Sequence, residues 1–170
     1  MLFRIVTTLV LLISLFASVS ASAAPPAKYE NPEYHYTFTL PAGWENLKTP
    51  PPVIAFGGPT DHDFRLNFNF YSEPVLKIDL AKYVKLSKAN IGKTKTLKLL
   101  SGKKTTLGGE PAYQLQSLLT LPGRSVVETR QIICLHRKRG FIFTYSALKL
   151  NYAKYDADFT KALSSFQWGK

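Results

Sequence analysis

The stretch from residue 94 to residue 148 constrains this chain more than any other, because it is rich in β-formers and its turns are short. Residues 94–101 turn at Gly102-Lys103 into residues 104–107, or run on as one bent strand. Gly108-Gly109 then leads into residues 110–121. Pro122-Gly123-Arg124 returns the chain through residues 125–136, and Arg137-Lys138-Arg139-Gly140 turns it again into residues 141–148. Parallel neighbours need a crossover of a dozen or more residues, so turns this brief impose antiparallel hairpins. The spacing predicts a meander.

The segments before and after it complete the pattern. Bulky Tyr34, Tyr36, Phe38 and Leu40 alternate with His35, Thr37 and Thr39, the period of a strand with one buried face. Pro41-Ala42-Gly43 ends that strand, and Pro50-Pro51-Pro52 precedes a short apolar strand over residues 53–56. Residues 57–63 read as a Gly-, Pro- and Asp-containing loop, and residues 65–71 alternate again. The period then becomes helical. Leu80, Tyr83, Val84, Ser87 and Ile91 share one side of a wheel, and Lys82, Lys85 and Lys88 the other. Asp79 suits the N-cap and Gly92 a left-handed residue past the end. A second stripe, Tyr152, Tyr155, Phe159, Ala162, Leu163 and Phe166, predicts a closing helix with Asn151 as its cap. Packing both helices on the meander buries both stripes and one sheet face. The fold class is α+β, an antiparallel meander flanked by helices.

The first residues belong to a different category. Arg4 precedes an apolar run from Ile5 to Phe16, and Ala21-Ser22-Ala23 forms a small-residue cleavage pattern. That is the layout of a secretory signal peptide, and the run is short of the roughly 20 residues of a spanning helix. The division expected is a signal over residues 1–23, a flexible proline-containing leader over 24–32 and one domain over 33–170. Cleavage near Ala23 would leave the protein extracytoplasmic, periplasmic or secreted. The chain has 22 Lys and Arg against 11 Asp and Glu, a net charge of +11. Arg4 is the one charge in the signal. Such an excess favours anionic partners, an acidic protein face or an envelope surface with peripheral membrane contact, and export disfavours nucleic acid. Cys134, the single cysteine, cannot form an internal disulfide and sits in an apolar strand. A monomer is expected.

Several motifs together resemble the PsbP-like family. Tyr34-x-Tyr36-x-Phe38-x-Leu40 runs into Pro41-x-Gly43-Trp44. Gly109-x-Pro111-Ala112-Tyr113 opens a meander strand, Phe141-x-Phe143-x-Tyr145 lies in a hairpin, and Tyr155-x-x-x-Phe159-x-x-x-Leu163-x-x-Phe166 closes the chain. The likeness covers residues 29–168. It implies a central antiparallel sheet flanked by helices and, as usual in the family, no enzymatic activity; no cofactor is expected. The family's photosystem II subunits carry a lipid-attachment cysteine or a two-stage plastid leader. This chain has neither pattern, which favours a bacterial envelope relative.

No signature of catalysis stands out. Gly92-Lys93-Thr94 ends like a phosphate loop, yet Ser87 stands where that loop needs glycine. Asp61-His62-Asp63 offers metal-binding atom types, but neighbouring side chains rarely converge on one ion, so a turn is the plainer reading. The eleven acids nominate no pair for glycoside hydrolysis. The densest candidate is a set of basic turns, Arg137, Lys138 and Arg139 at one and Lys103 and Lys104 at another. Arginine binds anions by forked hydrogen bonds and lysine as a point charge. The leading expectation is a non-catalytic accessory module of the cell envelope docking through that basic hairpin surface. A small-ligand or storage protein using a cavity between sheet and helices is the alternative, and a small exported hydrolase ranks third.

Overall fold

The computed structural model describes residues 25–123 and 125–169; the expected signal segment lies outside them. Its strands are β1 (Ala27–Asn31), β2 (Tyr36–Leu40), β3 (Glu45–Leu47), β4 (Ile54–Asp61) and β5 (Phe64–Pro74), then β6 (Leu97–Leu107), β7 (Glu110–Thr120), β8 (Val126–His136), β9 (Arg139–Leu148) and β10 (Gln167–Trp168). Helix α1 (Leu80–Lys93) follows β5, and α2 (Tyr152–Ser164) follows β9 after a 3-10 turn, Lys149–Asn151. Seven strands form one antiparallel sheet in the order β3-β4-β5-β9-β8-β7-β6, and β1-β2-β10 form a second. The α+β class and the four-strand meander stand as expected.

The sheet is buried on both faces, not one. Ile132, Cys134, Phe141, Phe143 and Tyr145 point toward β2 and α2, where Tyr36, Phe38, Phe159 and Phe166 meet them. Ile133, Ile142 and Leu115 point the other way, under Tyr83, Val84 and Ile91 of α1. Double burial explains why β8 and β9 read as continuous apolar runs, Ile132-Ile133-Cys134-Leu135 and Phe141-Ile142-Phe143.

Other sequence readings need correction. Residues 27–31, placed in the flexible leader, pair with β2 in register from Ala27 opposite Leu40 to Asn31 opposite Tyr36. Tyr29 supplies the reason, because its ring packs on Phe38 at 5.2 Å and on Phe56 at 4.8 Å. The loop expected at 57–63 is mostly strand, with a register shift between Gly57 and Thr60. Gly58 allows this, since a Cβ there would lie 2.6 Å from the Trp44 ring. Gly102-Lys103 is no turn, for β6 runs through it as one strand with an irregularity between Leu99 and Ser101. Asp79 caps α1 by accepting from the Lys82 backbone at 2.8 Å, but Gly92 lies inside the last turn and the helix ends at Thr94 in extended conformation. Asn151 precedes α2 without a side-chain capping bond; its Nδ2 instead donates to both oxygens of Asp61 at 3.0 and 2.9 Å.

Candidate functional site

Between Leu80 and Gly109 the sequence holds eight lysines and no acid. That segment is α1 and β6, and the two pack together at one side of the large sheet. Burying Tyr83, Val84, Ser87 and Ile91 turns Lys82 and Lys85 outward. Lys88 folds back over the sheet, its Nζ 4.6 Å from the Tyr113 ring centre and donating to the Tyr113 hydroxyl at 3.0 Å. Lys104 lies directly opposite Tyr113 across the β6–β7 ladder, on the same face. Two cations thus flank one phenol, and Lys82 and Lys85 extend the charge along the helix. Among the described residues none of these lysines forms an ion pair; the Lys and Arg pairs found are Arg65 with Glu45 and Arg130 with Asp156.

The β8–β9 tip is built differently from the expected cluster of three free charges. Arg137 and Lys138 occupy the two central positions of a tight hairpin, with φ of 47° and 63°. That is the geometry normally given to Asn-Gly, and both residues carry left-handed strain. Arg137 donates to the Gly169 carbonyl at 3.1 Å, tying the tip to the end of β10. Arg139 begins β9, donates to Ser72 Oγ at 2.9 Å and lies over the Tyr34 ring at 4.8 Å. Lys138 has no side-chain partner among the described residues. Lys103 and Lys104 stand mid-strand on the sheet edge, both exposed. The structure therefore separates the candidates: Lys103, Lys104 and Lys138 present their charge outward, while Arg137 and Arg139 brace the hairpin. Lys138→Gly should raise stability by up to about 1 kcal/mol, or ~2–4 °C in a thermal melt, by relieving the positive φ. An unchanged or lower midpoint would show that the tip carries no such strain.

Beside the tip, His136 stacks on Trp168 at 4.1 Å and its Nδ1 approaches Glu110 at 3.4 Å. Asp61-His62-Asp63 is the β4–β5 turn. Asp61 is buried, and besides Asn151 its carboxylate meets His62 Nδ1 at 3.1 Å, so this carboxylate clamps the turn to the start of α2. No group of three His, Cys, Asp or Glu side chains among the described residues could hold a metal. Cys134 is buried, and burial pushes its thiol well above the ordinary range. An open depression at the start of β8 and end of β9 is lined by Ser125, Val126, Leu148, Lys149 and Leu150. It gathers no acid–base pair.

A central antiparallel sheet with one helix on each face, and a small strand layer sharing the α2 side, defines a layered α+β protein. The match to the PsbP family model extends over residues 26–168, and the chain belongs to that family. Among solved structures it is similar to cyanobacterial PsbP (CyanoP) from Synechocystis sp. PCC 6803. The identity is 17%, the match covers 91% of this chain and 98% of that one, and the TM-score is 0.64. It is also similar to LpqN, involved in cell envelope biogenesis of Mycobacterium tuberculosis, at 14% identity, 85% and 91% coverage and a TM-score of 0.65. A protein of unknown function from Pseudomonas aeruginosa, PA94, described as a putative regulator, shares 15% identity over 82% of this chain and 94% of its own, with a TM-score of 0.61. No curated protein matches the chain.

Proposed function

We propose that this protein is an exported, non-catalytic accessory module of the cell envelope that docks an anionic partner through the cationic face of α1 and β6. The observation that carries the reading is the acid-free run of lysines on two adjacent elements, left without ion pairs among the described residues. Lys104 lies within this face, Lys103 stands beside it on the exposed edge of β6, and Lys138 adds charge at the neighbouring tip. The leader over residues 1–23 supports export, and LpqN, with the same fold, is tied to envelope biogenesis. An inter-layer ligand site has less support. The space between β2, α2 and the large sheet is filled by rings, with Tyr36, Phe70 and Phe166 stacked at 5.5 and 5.3 Å.

The test is charge reversal with a salt series. Changing Lys82, Lys85 and Lys104 together to Glu should weaken binding to an immobilised polyglutamate surface roughly 100-fold at low salt, at about 1 kcal/mol per reversed contact. The dependence on salt should flatten as well, because exposed charges are screened within about 10 Å at 0.1 M. Crosslinking in the native envelope should lose the same partner band. Unchanged polyglutamate affinity together with an unchanged crosslink would overturn the reading.

A further inference from the structure

The large sheet ends on one side in β3, three residues long, and on the other in β6, eleven residues long. Long open edges invite pairing, and natural sheets blunt them. Residues 98–104 of β6 are exposed without interruption, with Leu99 at 37% and Leu100 at 45%. The direction of the free backbone groups follows from the hairpin. Gly108 and Gly109, at φ of 55° and 85°, make a two-residue turn, so the flanking pair Leu107–Glu110 exchanges both ladder hydrogen bonds. The alternation then leaves the N–H and C=O of Thr106, Lys104 and Gly102 directed at the open edge. Pro111, opposite Thr106, fits the same phase, since that pair exchanges no ladder hydrogen bond and needs no donor there.

We infer that β6 is a strand-addition site, and that its occupant is an extended acidic segment of a partner protein, seated as an eighth strand on the large sheet. The inference rests on the cationic-face reading and names the partner's chemistry. Backbone groups at Gly102, Lys104 and Thr106 supply the pairing, and Lys98, Lys103 and Lys104 supply the choice of charge. A second copy of this chain is a poor occupant, because its β6 would bring Lys98, Lys103 and Lys104 and no acid to a seam that already holds the same three lysines, and like charges across paired strands are destabilising. The lysines therefore keep the edge from pairing with itself and leave a carboxylate-bearing strand as the favoured guest. A lipid surface fits less well, since pressing β6 into it would strip water from the open N–H and C=O groups without replacing their partners.

The probe is a capped synthetic peptide of about ten residues, enough to span β6, alternating valine or threonine with glutamate. A lysine counterpart and vesicles containing anionic lipid serve beside it. The glutamate peptide should bind the full chain, and hydrogen exchange at the amides of Gly102, Lys104 and Thr106 should slow at least ~10-fold at saturation. Thr106→Pro removes an outward donor while sparing the β6–β7 ladder, as edge prolines do. It should weaken the peptide at least ~10-fold with its melting midpoint close to that of the parent. Changing Lys98, Lys103 and Lys104 to Glu should transfer preference to the lysine peptide. If the three amides stay unprotected, or Thr106→Pro binds as the parent does, strand addition is wrong. Should Lys82→Glu with Lys85→Glu still abolish binding in that case, the cationic face survives alone. Vesicle binding without peptide binding would overturn the inference in favour of lipid. Failure of the parent to bind either acidic probe would remove both readings.

Discussion

Tyr36→Ala is expected to cost about 3–5 kcal/mol of folding stability, the range for deleting a large buried aromatic side chain. Tyr36 sits in β2 and is the ring through which the small sheet grips the large one. It stacks on Phe70 of β5 at 5.5 Å and on Phe166 after α2 at 5.3 Å, and it meets Phe143 of β9 edge-on at 6.1 Å and Trp168 of β10 at 6.1 Å. Each such pair contributes roughly 0.5–1.5 kcal/mol beyond area burial, so the loss is shared among four elements and the void cannot close by moving one of them. Tyr36→Phe separates ring from hydroxyl. The hydroxyl receives one long contact from Asn31 Nδ2, at 3.5 Å, so its removal should cost about 1 kcal/mol or less. Urea unfolding of the two variants decides the matter. A loss under ~1 kcal/mol for Tyr36→Ala would mean that β2 does not seat the aromatic core.

Gly140→Ala should be the most damaging single-methyl change near the candidate site. A Cβ at Gly140 would fall 2.5 Å from Tyr83 Cζ and 2.6 Å from its hydroxyl oxygen. Tyr83 cannot swing away, being fully buried and donating to Glu73 at 2.7 Å. Overpacking of this kind costs about 1–3 kcal/mol or more. Tyr83→Ala alone should cost about 3–5 kcal/mol. The two together should cost less than their sum by roughly 1–2 kcal/mol, because the clash disappears with the ring. Strict additivity in a thermal or urea double-mutant cycle would refute the close packing of α1 on β9. The same clash has a functional readout. Tyr83 anchors the first turns of the helix that carries Lys82 and Lys85, so Gly140→Ala should also weaken binding of polyglutamate, whereas Tyr36→Phe should leave it unaltered.

The meander was legible in the sequence because its punctuation is chemical. Gly108-Gly109 and Pro122-Gly123 are turn formers, and the apolar runs between them have strand length. Helix α1 was legible for a similar reason, with Asp79 at its start and a lysine face opposed to Tyr83, Val84 and Ile91. The misread places are those where packing overrides local preference. Gly58-Pro59 reads as loop, yet it continues a strand because Trp44 needs the space a side chain would take. Lys103-Lys104 after Gly102 reads as a turn, yet Gly102 is there because Tyr113 and Leu115 crowd it, a Cβ lying 2.8 Å from the Tyr113 ring. The strands β1, β3 and β10 are too short, or too exposed, to carry a period. As for the candidate site, the charges were visible and their grouping was not. Three adjacent basic residues drew notice at the tip, although the tip consumes Arg137 and Arg139 in its own bracing. Lysines spread over some twenty positions gain meaning only when a helix and an edge strand are laid side by side.

The pairing of β2 with β10 has a kinetic consequence. The Thr39 backbone N–H donates to Ser165 Oγ, 126 positions later, and Thr37 lies opposite Gln167. Contacts this remote make closure of the loop between them slow, and chains dominated by such contacts fold in milliseconds to seconds rather than microseconds. A layer closed across so long a loop is expected to lock last, leaving the rings of the large sheet uncovered until it does. Weakening β10 should then hasten unfolding while leaving the forward rate nearly as it was.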